Sequence, residues 1–359
     1  MSGTSADAID AALVEFASGA PRLVAAHGHP WPARVRRRLL AVATGDGAVH
    51  LDDLGTLDGE VAECFADAAL ALMRVAGITA AAVAAIGSHG QTIWHRPGAH
   101  PPFTLQLGDP SRIAERTGCT VVADFRRRDL AAGGQGAPLM SAFHAVVLGR
   151  AGQDVAVLNL GGIANLTLLP AGGTPVLGFD TGPASCLLDD WARRHTGQPY
   201  DRDGALASRG RVDRELLARL LAEPWFALPA PKSTGREVFN PAWLDARLPA
   251  RAAPEDVQAT LVALTAQTVA EALRRHAPDT TTVIACGGGV HNPVLMAALA
   301  RAVAPARLLD SGASGIDPDY VEAIGFAWLA RRTLDGLPGN LPSVTGARGP
   351  RILGGIYPA

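Results

Sequence analysis

Near the middle of the chain, apolar residues gather into three short runs, at 155–160, 164–169 and 174–179. Each is short and nearly continuous, which is the pattern of strands buried on both faces. The first two fold back on each other at Gly161-Gly162. The third delivers one carboxylate, Asp180, into Thr181-Gly182-Pro183 ahead of a helix over about 184–195. Helical periodicity predicts further helices at 33–42, 57–75, 109–117, 139–148, 212–223, 254–276 and 317–333. Apolar runs predict strands over 82–88, 103–107, 119–123 and 282–285, with an apolar stretch at 11–16. Strands alternating with helices indicate an α/β protein. The cluster Gly133, Gly134 and Gly136 marks 131–136 as the expected hinge and domain boundary.

Composition narrows the class. With 359 residues, 48 % hydrophobic residues and a mean hydropathy of +0.15, the chain is long enough for two globular domains. Its 32 basic and 34 acidic residues nearly cancel, so there is no electrostatic footprint for nucleic acid. Lys232 is the single lysine. Four scattered cysteines without a CxxC pair read as buried free thiols in a reducing compartment. The longest apolar run, around 66–86, is broken by Asp67 and Arg74, so it reads as a soluble helix rather than a membrane span. With no signal peptide pattern, the expected location is cytoplasmic.

Chemistry concentrates where strands give way to glycines. Gly161-Gly162 would let backbone N–H groups approach a phosphate, and Asp180 beside it would be a general base. The opening loop, Gly3-Thr4-Ser5-Ala6-Asp7-Ala8-Ile9-Asp10, suits phosphate and Mg²⁺, or is a frayed terminus. Ser88-His89-Gly90-Gln91-Thr92 offers Gln91 and Thr92 to sugar hydroxyls, while His89 reads equally as a satisfied buried histidine. Arg126-Arg127-Arg128 is a solvated surface or sends one arginine to a site. Gly287-Gly288-Gly289 ends another strand and lets a flat or charged ligand lie against backbone. Lys232-Ser233-Thr234-Gly235 is not a P-loop, since no glycine precedes the lysine by five residues and no strand feeds it. Glu322 is an ordinary acid in a helix's first turn.

The segments MSGTSADAIDAAL, GSHGQTIWHRP, DFRRRDLAAGGQGAPL, NLGGIANLT, FDTGP, PKSTGRE, CGGGVHNP and PDYVEAIGFAWLA together resemble the 1,6-anhydro-N-acetylmuramic acid kinases, in order and over nearly the whole chain. The resemblance implies a two-domain actin-like ATPase (ribonuclease H-like) fold, with mixed five-stranded sheets flanked by helices and an interdomain cleft. Domain I would be 1–136 plus about 335–359, and domain II 137–334. It implies ATP, Mg²⁺, a small anhydro-amino-sugar substrate and a homodimer, without nucleic acid or membrane partners. By position, Gly3 to Asp10 matches the first phosphate loop, with Asp7 reaching the metal through water. Asn159, Gly161 and Gly162 match the second phosphate hairpin, and Gly287, Gly288, Gly289 and Asn292 the adenosine contact. Asp180 matches the catalytic aspartate, and Gln91, Thr92, Arg126 and Glu322 the sugar pocket.

The implied reaction sends water to the anomeric carbon while the departing bridge oxygen takes the γ-phosphoryl group, giving N-acetylmuramic acid 6-phosphate. This sequence differs from the family pattern at Ala6 and Ala8 (Leu and Gly elsewhere), at Ala184 and Ser185 (Gly and Asn), and in the short stretch ahead of Ser2. From these differences the natural reading frame is expected to begin upstream, with Ala8 strained if its backbone is left-handed. Two rival readings share the fold: a kinase of an ordinary sugar hydroxyl, and a non-catalytic ATP-dependent switch.

Overall fold

In the computed structural model, residues 1–3, 6–17, 21–44, 49–172 and 174–359 are described. The chain divides into two compact units, Met1–Phe143 with Tyr320–Ala359, and His144–Asp319. In chain order, the first unit carries β1 (Ala8–Glu15), β2 (Arg22–Pro30), α1 (Ala33–Thr44), α2 (Leu51–Ala76), β3 (Ile86–Gly87), β4 (Gln91–Arg96), β5 (Phe103–Leu107), α3 (Pro110–Thr117), β6 (Val121–Ala123) and α4 (Arg127–Ala131). Helix α5 (Met140–Val147) contains the division. The second unit carries β7 (Val155–Leu160), β8 (Ile163–Leu169), β9 (Leu177–Pro183), α6 (Ser185–Thr196), α7 (Arg214–Leu221), α8 (Pro241–Asp245), α9 (Pro254–His276), β10 (Thr282–Cys286), α10 (Pro293–Ala302) and β11 (Arg307–Asp310). The chain then returns to the first unit with α11 (Val321–Leu334), α12 (Pro342–Thr345) and β12 (Gly355–Tyr357).

The second unit is one mixed five-stranded sheet in the order β11-β10-β7-β8-β9. β7 and β10 run parallel, so that Thr282 faces Val155 and Cys286 faces Asn159, while β8 and β9 complete an antiparallel meander. β7 and β10 read as unbroken apolar runs because both are almost wholly buried. Helix α9 lies on this sheet, and its Val257, Leu261, Leu264 and Val269 join Leu158, Leu166 and Phe179 in the core.

Strands of the first unit fall into three ladders among the described residues: β1-β2, β12-β6-β3 and β4-β5. A single five-stranded sheet was expected here; the ladder is interrupted because β1 pairs only with β2 and β3 only with β6. The core joins α2 (Leu57, Val61, Phe65) to Ile9, Ile93, Leu107 and Val121. The start of α3 shows how sequence sets a boundary: Asp109 accepts N–H bonds from Ser111 and Arg112, with Pro110 as the first helical residue.

Four sequence expectations change. Gln91 and Thr92, read from sequence as the end of the strand at 82–88, instead open a strand of their own, β4. Asp180 lies inside β9, which runs on to Pro183, because Gly182 and Pro183 continue the ladder with β8. The glycine cluster at 131–136 is not a loose hinge: it is fastened within the first unit. The buried Asp129 carboxylate accepts bonds from the Gly136 N–H (2.8 Å), Asn340 Nδ2 (2.7 Å) and Thr345 Oγ1 (2.7 Å). Gln135 N–H bonds Thr345 O and Arg348 N–H bonds Ala132 O. Gly134 is needed because a Cβ there would collide with the Asp129 carboxylate. Helix α11, expected with the second half, belongs to the first unit, where it packs on β1, β3 and β6.

All four cysteines are buried free thiols. Among the described residues, no helix is long and apolar enough to cross a membrane.

Asp129→Ala would strand three donors in a dry site and is expected to cost about 2–4 kcal/mol of stability. Its urea midpoint, compared with that of the native chain, measures this directly.

Candidate active site

Parallel pairing of β7 with β10 brings two glycine turns to one edge of the sheet, Gly161-Gly162 after β7 and Gly287–Gly289 after β10. One row of directly paired residues then crosses the sheet: Cys286 on β10, Asn159 on β7, Asn165 on β8 and Asp180 on β9. Residues paired directly across neighbouring strands share a face, so the two asparagines and Asp180 point the same way. Asp180 stands two strands from Asn159, about 10 Å by strand spacing. Asn165 was not singled out from sequence. Its only signal is a polar residue at the face-matching position of an apolar strand.

Next to Asp180 the pairing slips: Ala164 faces Gly182 but Asn165 faces Asp180, leaving Thr181 as an extra residue. Such a bulge re-aims the neighbouring side chain and is common beside active sites. Thr181 is buried and bonds Ala164 O. Gly182 takes φ 143°, where a Cβ would meet the Phe226 ring at 2.7 Å.

The loop around Lys232 is the part of this site that sequence reading left without a role. It grips Asp180 twice: Asp180 N–H donates to Lys232 O (2.9 Å), and Thr234 N–H donates to Asp180 Oδ2 (2.9 Å). Burial raises the Asp180 pKa from 3.8 to about 7; the Thr234 bond works against it, Glu237 reinforces it and Lys232 opposes it. Lys232 itself is drawn down to about 8, first by burial and then by Arg275, with Asp180 pulling the other way. Its ammonium donates to Trp225 O and Phe226 O and sits 4.1 Å from the Trp225 ring centre. A carboxyl that titrates near 7 is poised to take a proton at neutral pH.

Some glycines here serve the fold, and some do not. Gly287 has φ 82° and a Cβ on it would lie 2.6 Å from Asn159 Oδ1; one on Gly289 would lie 2.6 Å from Leu160 Cβ. These two let the turn after β10 seat on the end of β7. At Gly161 and Gly162 an added Cβ would find only ordinary contacts beyond 3.5 Å, and at Gly288 nothing within 4 Å. None of these three has positive φ. Neither packing nor backbone conformation requires glycine at them, so the room they leave is available to a ligand lying against the backbone. The Gly161 and Gly162 carbonyls accept the first N–H groups of the following helix, from Ala184, Ser185 and Cys186, which fixes the turn to α6. Asn292 caps α10, its Oδ1 accepting from Val294 and Leu295, and so has a structural duty of its own.

The first unit assembles most of the other expected residues. Gln91 is buried and donates to Gly3 O (3.0 Å), while its Oε1 has no partner among the described residues. Arg126 donates from Nε to His89 Nε2 (2.9 Å) and from Nη1 to Gly136 O (2.8 Å). Burial brings its pKa down to about 10, against the pull of Glu322. His89 therefore has a definite duty: held neutral by burial, it accepts from Arg126. Thr92 accepts from Gln106 Nε2 (3.2 Å). In the opening loop, Thr4 and Ser5 lie outside the described residues. Ala6, not Ala8, takes positive φ (47°), at a cost on the order of 1 kcal/mol for an L residue. Ala8 and Ile9 begin β1, and Asp10 exchanges two backbone bonds with Met1. Asp7 is exposed and paired with Arg36 (3.0 Å). No group of three or more His, Cys, Asp or Glu among the described residues could hold a metal alone. Mg²⁺ carried by nucleotide phosphates needs only one or two carboxylates and water, which Asp7 fits.

These features define an α/β protein with a mixed five-stranded sheet whose strand ends carry glycine turns and a buried carboxylate. The pattern of the anhydro-N-acetylmuramic acid kinase family matches residues 1–359, and the chain belongs to that family. A relative of that name from Xanthomonas campestris pv. campestris (strain 8004) is 59 % identical, the match covering 100 % of this chain and 96 % of the relative. Another from Xylella fastidiosa (strain Temecula1) is 56 % identical over 100 % of this chain and 95 % of its own length. Among solved structures, xylulose kinase from Rhodospirillum rubrum is similar with a TM-score of 0.36 and 17 % identity, over 71 % of this chain and 52 % of that one.

Two predictions follow from this geometry. Gly288→Ala should leave the melting temperature within about 1 °C of the native value, whereas Gly287→Ala, strained and crowded, should lower it by roughly 5 °C or more. Calorimetry with ATP then tests whether Gly288→Ala alone weakens binding. The second concerns pH. With a folded pKa raised from 3.8 to about 7, Asp180 favours folding when protonated, and that contribution is lost as pH rises across this interval. Asp180→Asn should therefore melt several degrees above the native chain at about pH 8, with the gap closing towards about pH 4.

Proposed function

We propose that this chain is the kinase its family name describes: it opens the internal bridge of 1,6-anhydro-N-acetylmuramic acid at the expense of ATP and water, forming N-acetylmuramic acid 6-phosphate and ADP. The observation that carries the proposal is Asp180, a carboxylate brought near pKa 7 beside a strand bulge, in one row with Asn159 and the glycine turns.

Asp180 takes a proton from water as the water oxygen bonds to the anomeric carbon. The bond from that carbon to the bridging oxygen breaks, and this oxygen bonds to the γ-phosphorus as the bond to ADP opens. The oxygen leaves onto phosphorus rather than onto a proton, so the second carboxylic acid that glycosidases use has no counterpart. ATP lies along the second unit's glycine turns: Gly161 and Gly162 at the phosphates, with Gly288, flanked by Gly287, Gly289 and Asn292, towards the adenosine. Gly3 to Asp10 form the other phosphate loop. Asp7 would hold Mg²⁺ through water, and the ion would supply positive charge against the phosphoryl oxygens. Gln91, Thr92, Arg126 and Glu322 bind the sugar; Arg126, held by His89 and Gly136 O, is the cation offered to its acidic group. A cytoplasmic homodimer completes the reading.

The test runs enzyme, ATP, Mg²⁺ and anhydro-sugar in ¹⁸O-water and reads the product within minutes by mass spectrometry. Its control is unlabelled product held in ¹⁸O-water for the same time, which accounts for exchange at the free anomeric centre. Product two mass units heavier than the control supports water attack. Unlabelled phosphorylated sugar would instead mean transfer to an ordinary hydroxyl. Asp180→Asn is expected to lose roughly 10²–10⁴-fold in turnover. The native rate should fall about tenfold per unit below about pH 7.

A further inference from the structure

Lys232, the single lysine of the chain, is half-buried rather than left to solvent. Its ammonium spends N–H groups on two carbonyls of one turn, Phe226 O at 2.8 Å and Trp225 O at 3.1 Å, and lies over the Trp225 ring. A partly desolvated ammonium on carbonyls and an indole face is a strong local fastener. That turn, Pro224–Ala227, is itself anchored in the core of the second unit. Glu223 Oε2 accepts from Trp243 Nε1 and from Arg247, both at 2.8 Å, and Phe226 stacks on the buried Phe239 ring with centres 5.4 Å apart. The turn also reaches β9, because the Phe226 ring lies against Gly182 in the bulge beside Asp180.

Backbone groups of the same loop hold the carboxylate. Lys232 O accepts the Asp180 N–H, and the Thr234 N–H donates to Asp180 Oδ2, each at 2.9 Å. Between them, Ser233 O accepts from Trp225 Nε1 (3.3 Å). The Thr234 side chain adds no hold of its own: its hydroxyl is buried and has no partner among the described residues. The Thr234 N–H therefore meets Asp180 only as far as the loop is held from the turn. Among the described residues, the Lys232 ammonium makes two of the three hydrogen bonds that join loop to turn. A closed frame results, running from β9 through Phe226, the Lys232 ammonium and Thr234 back to Asp180.

We infer that Lys232 is a positioning residue for the reaction: its ammonium fixes the loop that sets the orientation and basicity of Asp180. It acts through Asp180, so this role rests on the function proposed above. Two effects of the ammonium on the carboxyl have the same sign. Its positive charge favours the ionised form directly, and the Thr234 N–H that it holds in place favours that form by a hydrogen bond. The other charges that act on the pair are Glu237, which raises the Asp180 pKa, and Arg275 of α9, which lowers that of Lys232. Glu271 and His276 of α9 line the same cavity of ≈ 310 Å³ as Lys232 and Arg275. Removing the ammonium therefore loosens the grip and raises the Asp180 pKa further above its ordinary value.

The test uses Lys232→Met, with Lys232→Gln beside it as a second neutral variant and Lys232→Arg as the rescue. In the full chain, Asp180 is followed by the carboxyl ¹³C shift of labelled aspartate, its signal identified by its loss in Asp180→Asn. In Lys232→Met this carboxyl is expected to titrate about half a pH unit or more above the native chain, and in Lys232→Arg close to it. The titration needs no substrate, so its outcome stands whether or not the proposed reaction is correct. In turnover, kcat of Lys232→Met should fall about 10–10²-fold while KM for ATP and sugar stays within about threefold. The acid limb of its rate should move to higher pH with the carboxyl, and Lys232→Arg should recover most of the loss. An Asp180 carboxyl that titrates alike in native and neutral-variant protein would overturn the inference, as would an unchanged kcat. So would failure of both neutral variants to fold, since Lys232 would then serve stability alone.

Discussion

Keeping the Asp180 carboxylate short of water is the constraint around which the second unit is arranged. A carboxylate in solution is a weak base, and burial strengthens it by making its charge costly. Burial alone would leave the group without orientation. The loop through Lys232 and Thr234 supplies it, one carbonyl receiving the Asp180 N–H and one N–H meeting its Oδ2. That single donor moderates the shift that burial produces, so the loop sets both the direction and the basicity of the group. The bulge at Thr181 lets a strand with Phe179 buried beneath it present Asp180 on the face of Asn159 and Asn165.

The two glycine turns divide labour in a way that motif reading alone does not separate. Gly287 and Gly289 exist so that β10's turn can press onto Leu160 and Asn159. Gly161, Gly162 and Gly288 answer no internal need. In the first unit the corresponding economy lies in Arg126: its guanidinium is partly desolvated, held by a neutral histidine and a backbone carbonyl, and left under the influence of Glu322. An arginine held this way has already lost much of its side-chain freedom in the folded state.

Much of this was legible in the chain because buried strands announce themselves: β7, β8 and β10 stand where apolar continuity set them, within one or two residues. What was not legible has specific causes. β2 contains Gly28 and two histidines and is half-exposed, so it lacks a clear apolar signal. Strands β11 and β12 are four and three residues long, too short for periodicity to register. The extension of β9 through Thr181-Gly182-Pro183 contradicts local propensity and is held in place by β8. The grip of Lys232 and Thr234 on Asp180 joins residues about fifty apart, and no local pattern carries such information. The glycines at 133, 134 and 136 looked like a hinge because the carboxylate that pins them lies one helix upstream, and its other partners lie near the end of the chain.

That last arrangement bears on the order in which the molecule is built on the ribosome. Asp129 finds Asn340 and Thr345 only 211 and 216 residues later. Domains emerge and fold from the amino end as units. Here the second unit, a continuous stretch from His144 to Asp319, has fully emerged before Asp129 has either side-chain donor. The later-encoded unit is therefore able to fold first, and the earlier one waits, with its carboxylate still hydrated, for the closing segment. During that interval the nascent chain carries an unfinished amino-terminal part attached to a finished second unit.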